Sequence, residues 1–138
     1  MSELVRLSLS MEQPLMARLE ALVRHGKYTN RSEFIRDMIR ERLVAEEWEK
    51  DREAVGTITL VYDHHARQLS RRLTDLQHEH HGEILATTHV HLDRHMCVEM
   101  ILAKGKASHI RSIADGLRRQ KGVLHASLSM SSTGRHLH

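Results

Sequence analysis

The chain has 138 residues, of which 40% are hydrophobic, so it can bury one core of ordinary size or two small ones. Its net charge of +3 is small, and Lys and Arg balance Asp and Glu within residues 1–50, so bulk charge marks no nucleic-acid-binding region. The single cysteine excludes an intramolecular disulfide, and no apolar run is long enough to span a membrane. We therefore expect a soluble, cytoplasmic protein.

The first predicted element is a β-strand in residues 4–11, where apolar and polar side chains alternate from Arg6 onward. Its apolar face carries Leu7, Leu9 and Met11. Its polar face carries Arg6, Ser8 and Ser10.

Two helices are predicted next. Pro14 fits the first turn of one helix, and Gly26 is a natural end for it. The sequence Asn30-Arg-Ser-Glu33 is typical of a capping box that opens a second helix, which we expect to extend to about Trp48. The charged segment 46–53 then predicts the connection between two domains, the first of which covers residues 1–48.

A strand followed by two helices is too small to be stable alone, and its strand would have two unpaired edges. We expect it to pair with the same strand of a second chain. The resulting two-stranded ribbon would present its polar face twice, with dimensions that suit a DNA major groove. The alternative is that Arg6, Ser8 and Ser10 are only the solvent-exposed side of an amphipathic strand.

Residues 54–131 predict a second domain with the order β-α-β-β-α-β, which is the ferredoxin-like arrangement. Its elements are predicted at residues 57–62, 64–80, 83–92, 96–102, 110–117 and 123–130. The predicted fold class is therefore α+β. The tail after residue 131 is expected to be frayed.

The predicted hairpin carries His89, His91 and Cys97. Side chains alternate along a strand, so the two histidines share a face, roughly 7 Å apart. If the turn centres on Arg94, Cys97 lies opposite His91 on that same face. Two imidazoles and a thiolate suit nickel, copper or zinc, and the segment 78–81 could supply a fourth ligand. Because the chain is rich in histidine, a chance pairing is the alternative.

The sequence does not predict an enzyme. The histidines in His78-Glu79-His80-His81 lack the spacing of the zinc-protease motif, and no arrangement of a nucleophile with its base is recognisable. We accordingly expect no small organic substrate.

The chain resembles the nickel-responsive transcriptional regulators of the NikR family over nearly its whole length. The resemblance rests on residues 30–37, 61–64, 77–81, 89–91 and 97–99. It implies a dimeric ribbon-helix-helix DNA-binding domain followed by an ACT-like regulatory domain. Ribbon-helix-helix units also occur in antitoxins and other repressors, so the combination of the two domains is more specific than either part.

The resemblance also implies the roles of individual residues. One Ni²⁺ per subunit would be bound by His89, His91 and Cys97 of one chain and His78 of a neighbour. Tyr62, His64 and Glu99 match positions that hydrogen-bond around the metal. Glu33 and Asp37 match a weaker cation site between the domains, and Arg6, Ser8 and Ser10 match the DNA-reading positions.

The implied assembly is a homotetramer, a dimer of dimers in which nickel favours binding to a palindromic operator. The implied function is nickel-responsive repression of nickel uptake genes. The alternative is a ribbon-helix-helix repressor that senses zinc, copper or cobalt.

Overall fold

The computed structural model describes residues 2–138, which form four helices and four strands. The elements in chain order are α1 Gln13–His25, α2 Arg31–Glu49, β1 Glu53–Asp63, α3 Leu69–Glu79, β2 Ile84–His91, β3 Met96–Lys106, α4 Ala107–Arg118 and β4 Val123–Ser131. The chain divides into two compact units, one containing the residues before Val44 together with His136–His138, and the other Val44–Arg135. No helix within residues 2–138 is both long and apolar enough to cross a membrane.

In the first unit, the beginnings of both helices are determined by local sequence. Pro14 lies in the first turn of α1, where its missing N–H breaks no hydrogen bond. The Asn30 side chain accepts a hydrogen bond from the Glu33 N–H (2.9 Å) and so caps α2. This is one half of the predicted capping box, since the Glu33 carboxylate forms an ion pair with Arg36.

The predicted strand at residues 4–11 is not formed in the single chain, where residues 2–12 have no regular secondary structure. Leu7 and Leu9, assigned to its apolar face, are 75% and 58% exposed. The physical reason is that a strand requires a hydrogen-bonding neighbour, and the single chain offers none to this segment. The tail also differs from expectation, because the Leu137 carbonyl accepts a hydrogen bond from Arg40 (3.2 Å).

The second unit contains an antiparallel sheet with the strand order β2-β3-β1-β4, as the ferredoxin-like prediction requires. Alternate side chains of the central strand β1 are buried, which places one face of the strand in the core. The core is formed by β1 and β3 together with α3 and α4. Its fully buried large side chains include Ile58, Leu60, Leu73, Ile101, Ile110 and Leu117.

A second buried cluster surrounds Trp48, near the end of α2. Trp48 is 4% exposed and packs with Ala54, Ala103 and Ala107. Its indole N–H donates a hydrogen bond to the Ser131 carbonyl (2.8 Å). The last turn of α2 is therefore part of the packing of the second unit.

Helix α3 begins at Leu69, five residues later than the predicted start at His64. The Asp63 side chain accepts a hydrogen bond from the His65 N–H (2.9 Å), and this local turn competes with a helix. Gln68 then enters the left-handed region at φ 60° immediately before the helix. As a result, His64 and His65 lie in a loop beside the β2–β3 hairpin.

Candidate metal centre

The β2–β3 hairpin has the predicted register, with His91 directly opposite Cys97. The Asp93 carboxylate stabilises the turn between them, since it accepts hydrogen bonds from the N–H groups of His95 (2.7 Å) and Met96 (2.8 Å). The same hydrogen bonds lower the pKa of Asp93, so it stays ionised as it holds the turn. The turn thus places the His91 and Cys97 side chains side by side.

His89, His91 and Cys97 define what we call the metal-binding face of the hairpin. The Cys97 Sγ lies 3.3 Å from the His91 Nδ1, and the ring centroids of His89 and His91 are 5.0 Å apart. The hairpin therefore brings the His91 and Cys97 ligand atoms together and places the His89 ring beside that of His91.

Cys97 is fully buried, and this burial is the main cause of its raised pKa. The negative charges of Asp63, Asp93 and Glu99 raise the pKa further. The free protein therefore holds Cys97 as a neutral thiol. A metal that binds there must displace the thiol proton, because the thiolate is the ligand form.

His64 lies close enough to the metal-binding face for its imidazole to be a ligand, and not only a hydrogen-bonding neighbour of the metal. One ligand atom from each of His64, His91 and Cys97 falls within 4.8 Å of the others, and the His64 and His91 rings are 5.0 Å apart. Desolvation is the main cause of the lowered pKa of His64, and neighbouring histidines lower it further. The neutral imidazole that results is the form that can bind a metal.

A hydrogen-bond chain on the same face of the sheet holds the His89 ring. The Tyr62 hydroxyl lies 3.1 Å from the His89 Nδ1, and the Glu99 carboxylate lies 3.5 Å from the same nitrogen. The Gln77 amide donates to Glu99 (2.9 Å), and the Thr87 hydroxyl donates to the Gln77 side-chain oxygen (2.8 Å). With Nδ1 engaged, the Nε2 of His89 is the nitrogen left for a metal.

Burial is the main cause of the Tyr62 pKa of about 12, and the negative charge of Glu99 adds to it. Tyr62 is therefore a neutral hydrogen-bonding group at physiological pH. Tyr62 and Glu99 were predicted to lie around the metal, whereas Gln77 and Thr87 were not identified from sequence. No pattern marks them, although Gln77 directly precedes His78.

His78 lies in the last turn of α3, where its carbonyl is 3.2 Å from the His81 Nδ1. Within residues 2–138, the two groups of side chains close enough to hold a metal do not include it. Neither group includes His89, so the ligand atoms that one chain brings within 4.8 Å of one another at this face are those of His64, His91 and Cys97.

The remaining predicted site residues lie in the first unit. Arg6, Ser8 and Ser10 are exposed. The Asp37 carboxylate accepts a hydrogen bond from the Tyr28 hydroxyl (2.8 Å) and pairs with Arg40 (3.2 Å), while Glu33 pairs with Arg36. A cation bound by Glu33 and Asp37 would have to replace these partners.

The donor set on the metal-binding face fits a late first-row divalent cation. Imidazole nitrogens and a thiolate bind such ions well, whereas Mg²⁺ and Ca²⁺ prefer oxygen ligands. Hydrogen bonds restrain the turn between His91 and Cys97 and the ring of His89.

Comparison with known proteins identifies both units. The family described as "NikR C terminal nickel binding domain" matches residues 55–131, and "Ribbon-helix-helix protein, copG family" matches residues 5–46. The fold and site thus define a ribbon-helix-helix protein with a nickel-binding domain. The chain belongs to the family of nickel-responsive regulators.

Full-length relatives support this membership. A relative from Desulfotalea psychrophila is 47% identical over 98% of this chain and 99% of its own length. One from Geobacter sulfurreducens is 48% identical over the whole of both chains, and both are named as nickel-responsive regulators. An uncharacterised protein from Thermotoga maritima has a solved structure with a TM-score of 0.52 and 16% identity. It covers 57% of this chain and 98% of its own, which shows a shared fold alone.

Proposed function

We propose that this chain is a nickel-responsive transcriptional repressor that binds a specific DNA operator when it carries Ni²⁺. The observation that carries the proposal is the cross-strand pair of His91 and Cys97, whose nitrogen and sulfur lie 3.3 Å apart in the domain that matches a nickel-binding family. His89 adds a second imidazole to the same face.

The proposed ligands are His89, His91 and Cys97 of one chain and His78 of a neighbouring chain, with one Ni²⁺ per subunit. When bound, the ion supplies a link between chains that neither chain can make alone. Cys97 would have to release its proton to be a ligand, and Tyr62 and Glu99 would hold the His89 ring through its Nδ1. Shared ligands stabilise only the assembled protein, which couples nickel concentration to the arrangement of the subunits.

The proposed DNA-reading element is the ribbon formed by residues 4–11 of two chains. Residues 5–46 match a ribbon-helix-helix family, and Leu7 and Leu9 of this segment are exposed in the single chain. Pairing with a second copy would cover Leu7 and Leu9 and leave Arg6, Ser8 and Ser10 facing a DNA major groove. A dimer of such dimers would have the two-fold symmetry of a palindromic operator. Glu33 and Asp37 would bind a second cation in that assembly.

The test measures nickel binding and DNA binding on the same samples. The wild-type protein with one equivalent of Ni²⁺ should show a thiolate-to-metal charge-transfer absorption band and nickel-dependent operator binding. Cys97→Ala should lose the band and the nickel response. Arg6→Ala should keep the band and lose about 1–3 kcal/mol of binding per affected base pair, on the operator but not on scrambled DNA.

The two variants test the proposed metal site and the proposed DNA-reading ribbon separately. A Cys97→Ala protein that keeps the wild-type spectrum would contradict the assigned ligands. An Arg6→Ala protein that binds the operator normally would contradict the ribbon assignment.

A further inference from the structure

A second group of potential metal ligands lies beside the metal-binding face. Asp63, His65 and His95 each place one ligand atom within 4.8 Å of the others. Asp63 ends β1, His65 lies in the loop that follows, and His95 lies in the hairpin turn. The group shares no residue with the ligands proposed above, and the sequence pattern did not single it out.

Hydrogen bonds to backbone groups hold these segments together. The His64 N–H donates to the His95 carbonyl (2.9 Å), which joins the loop after β1 to the hairpin turn. The Asp63 carboxylate accepts from the His65 N–H, and the Asp93 carboxylate accepts from the His95 N–H. The ring centroids of His65 and His95 are consequently 5.2 Å apart on two anchored segments.

The hydrogen bond of the His65 ring also favours ligation. Its Nε2–H donates to the Arg94 carbonyl (3.0 Å), so Nδ1 is the nitrogen with a free lone pair. A backbone carbonyl that orients a histidine in this way is a common feature of metal sites. One oxygen of Asp63 accepts the His65 N–H, and the other is available to an ion.

We propose that Asp63, His65 and His95 form a second site for a late first-row divalent cation, weaker than the site that contains Cys97. Two imidazoles and one carboxylate suit Ni²⁺, Co²⁺ or Zn²⁺. The site is open to solvent, since both histidines are exposed, and water would complete the coordination. It lacks a thiolate, so we expect it to fill only after the first site. This goes beyond the proposed regulatory function.

The experiment is equilibrium dialysis of the full-length protein against Ni²⁺, comparing wild type with His95→Ala and His109→Ala. His95→Ala removes the ring but keeps the backbone groups that form the turn. His109 is the control, because it is an exposed histidine on α4 outside both groups. We expect wild type to bind one tight and at least one weaker nickel per chain. His95→Ala should weaken one weaker site by about tenfold or more, since even outer-sphere partners contribute 10–100-fold.

A second readout locates the weaker ion. In protein with ¹³C-labelled histidine, nickel added beyond one equivalent should change the NMR signals of His65 and His95 before that of His109. The tight site and its charge-transfer band should be the same in all three proteins. Three results would overturn the proposal: no weaker binding in wild type, equal losses in His95→Ala and His109→Ala, or loss of the tight site in His95→Ala.

Discussion

Tyr62 acts on the metal-binding face through another residue. Its hydroxyl lies 3.1 Å from the His89 Nδ1, and its raised pKa keeps the proton in place at neutral pH. The Tyr62 ring is itself buried in the core, so the hydroxyl has a fixed position. We therefore expect Tyr62 to set which nitrogen of His89 is free to bind a metal.

Tyr62→Phe should weaken Ni²⁺ binding by about tenfold, because removal of partners that orient metal ligands typically costs 10–100-fold. The charge-transfer band should remain, since Cys97 is unchanged. Competition with a metal-binding dye measures the affinity. Tyr28→Phe is the matched control, because its hydroxyl donates to Asp37 in the first unit. Equal affinities for Tyr62→Phe and wild type would show that His89 is oriented without the hydroxyl.

At the scale of the elements, strand β1 packs closely against Trp48 and α4 at Gly56, where it has no side chain. A Cβ atom added at Gly56 would lie 2.8 Å from the Ile110 side chain, 3.0 Å from that of Leu128 and 3.2 Å from that of Trp48. These distances are below normal van der Waals contact. The close packing of β1 against residues of α2, α4 and β4 thus depends on the missing side chain.

Gly56→Ala should lower the free energy of unfolding by about 1–3 kcal/mol, the usual cost of overpacking a core. Gly116→Ala is the control, because a Cβ at that position in α4 meets nothing within 4 Å. It should raise the free energy of unfolding by up to about 1 kcal/mol through helix propensity. Urea denaturation followed by circular dichroism gives both values. A neutral Gly56→Ala would mean that α4 can shift without cost.

The beginning of α4 depends on a carboxylate from a distant turn. Asp51 accepts a hydrogen bond from the Ser108 N–H (2.7 Å), in the first turn of the helix. This bond is the main cause of the lowered pKa of Asp51. A lowered folded-state pKa means that the ionised group stabilises the fold above its unfolded pKa of about 3.9. That stabilisation is lost as the pH falls through the folded-state pKa.

Asp51→Asn keeps the acceptor and tolerates the left-handed backbone, where Asp51 has φ 53°, but it cannot ionise. Its melting temperature should be lower than that of wild type at neutral pH. The difference should shrink in acid, as wild-type Asp51 becomes protonated. Thermal denaturation at a series of pH values measures this, with Asp115→Asn as a control on the same helix. A difference independent of pH would exclude the charge of Asp51 as its cause.

At the scale of the whole molecule, the three donors of one chain lack the fourth predicted ligand. His89, His91 and Cys97 share one face of the hairpin, whereas His78 lies on α3. The proposed site is complete only if a second chain contributes His78. Subunit assembly and nickel binding would then depend on each other.

Mixing subunits tests this arrangement. The His78→Ala and Cys97→Ala proteins should each lack a complete site, whereas assemblies that contain both kinds of subunit should regain some sites where an intact His78 meets an intact Cys97. The charge-transfer absorption of verified mixed assemblies measures the recovery. The control is the two variant proteins combined just before measurement, so that their subunits have not exchanged. Mixed assemblies without any recovered band would indicate that all the ligands come from one chain.

Local sequence was sufficient to predict much of the structure of the second unit. The β-α-β-β-α-β order follows from hydrophobic periodicity, and the register of His91 with Cys97 follows from strand alternation and a short turn. The Asn30 cap likewise depends on local sequence, because Asn30 and the N–H group it accepts from are three residues apart. Such features depend on neighbours in the chain, whose relative positions the backbone geometry restricts.

Contacts between residues far apart in the sequence were revealed only by the tertiary structure. Trp48 bonds to Ser131, and Gln77 reaches Glu99, across separations that no local pattern encodes. The loop before α3 placed His64 and His65 near the hairpin because a side-chain turn at Asp63 prevailed over helical periodicity. The segment 4–11 remains without strand structure in one chain, because a ladder of hydrogen bonds needs a second strand. Sequence alone therefore determined the donors on the hairpin, and packing determined what surrounds them.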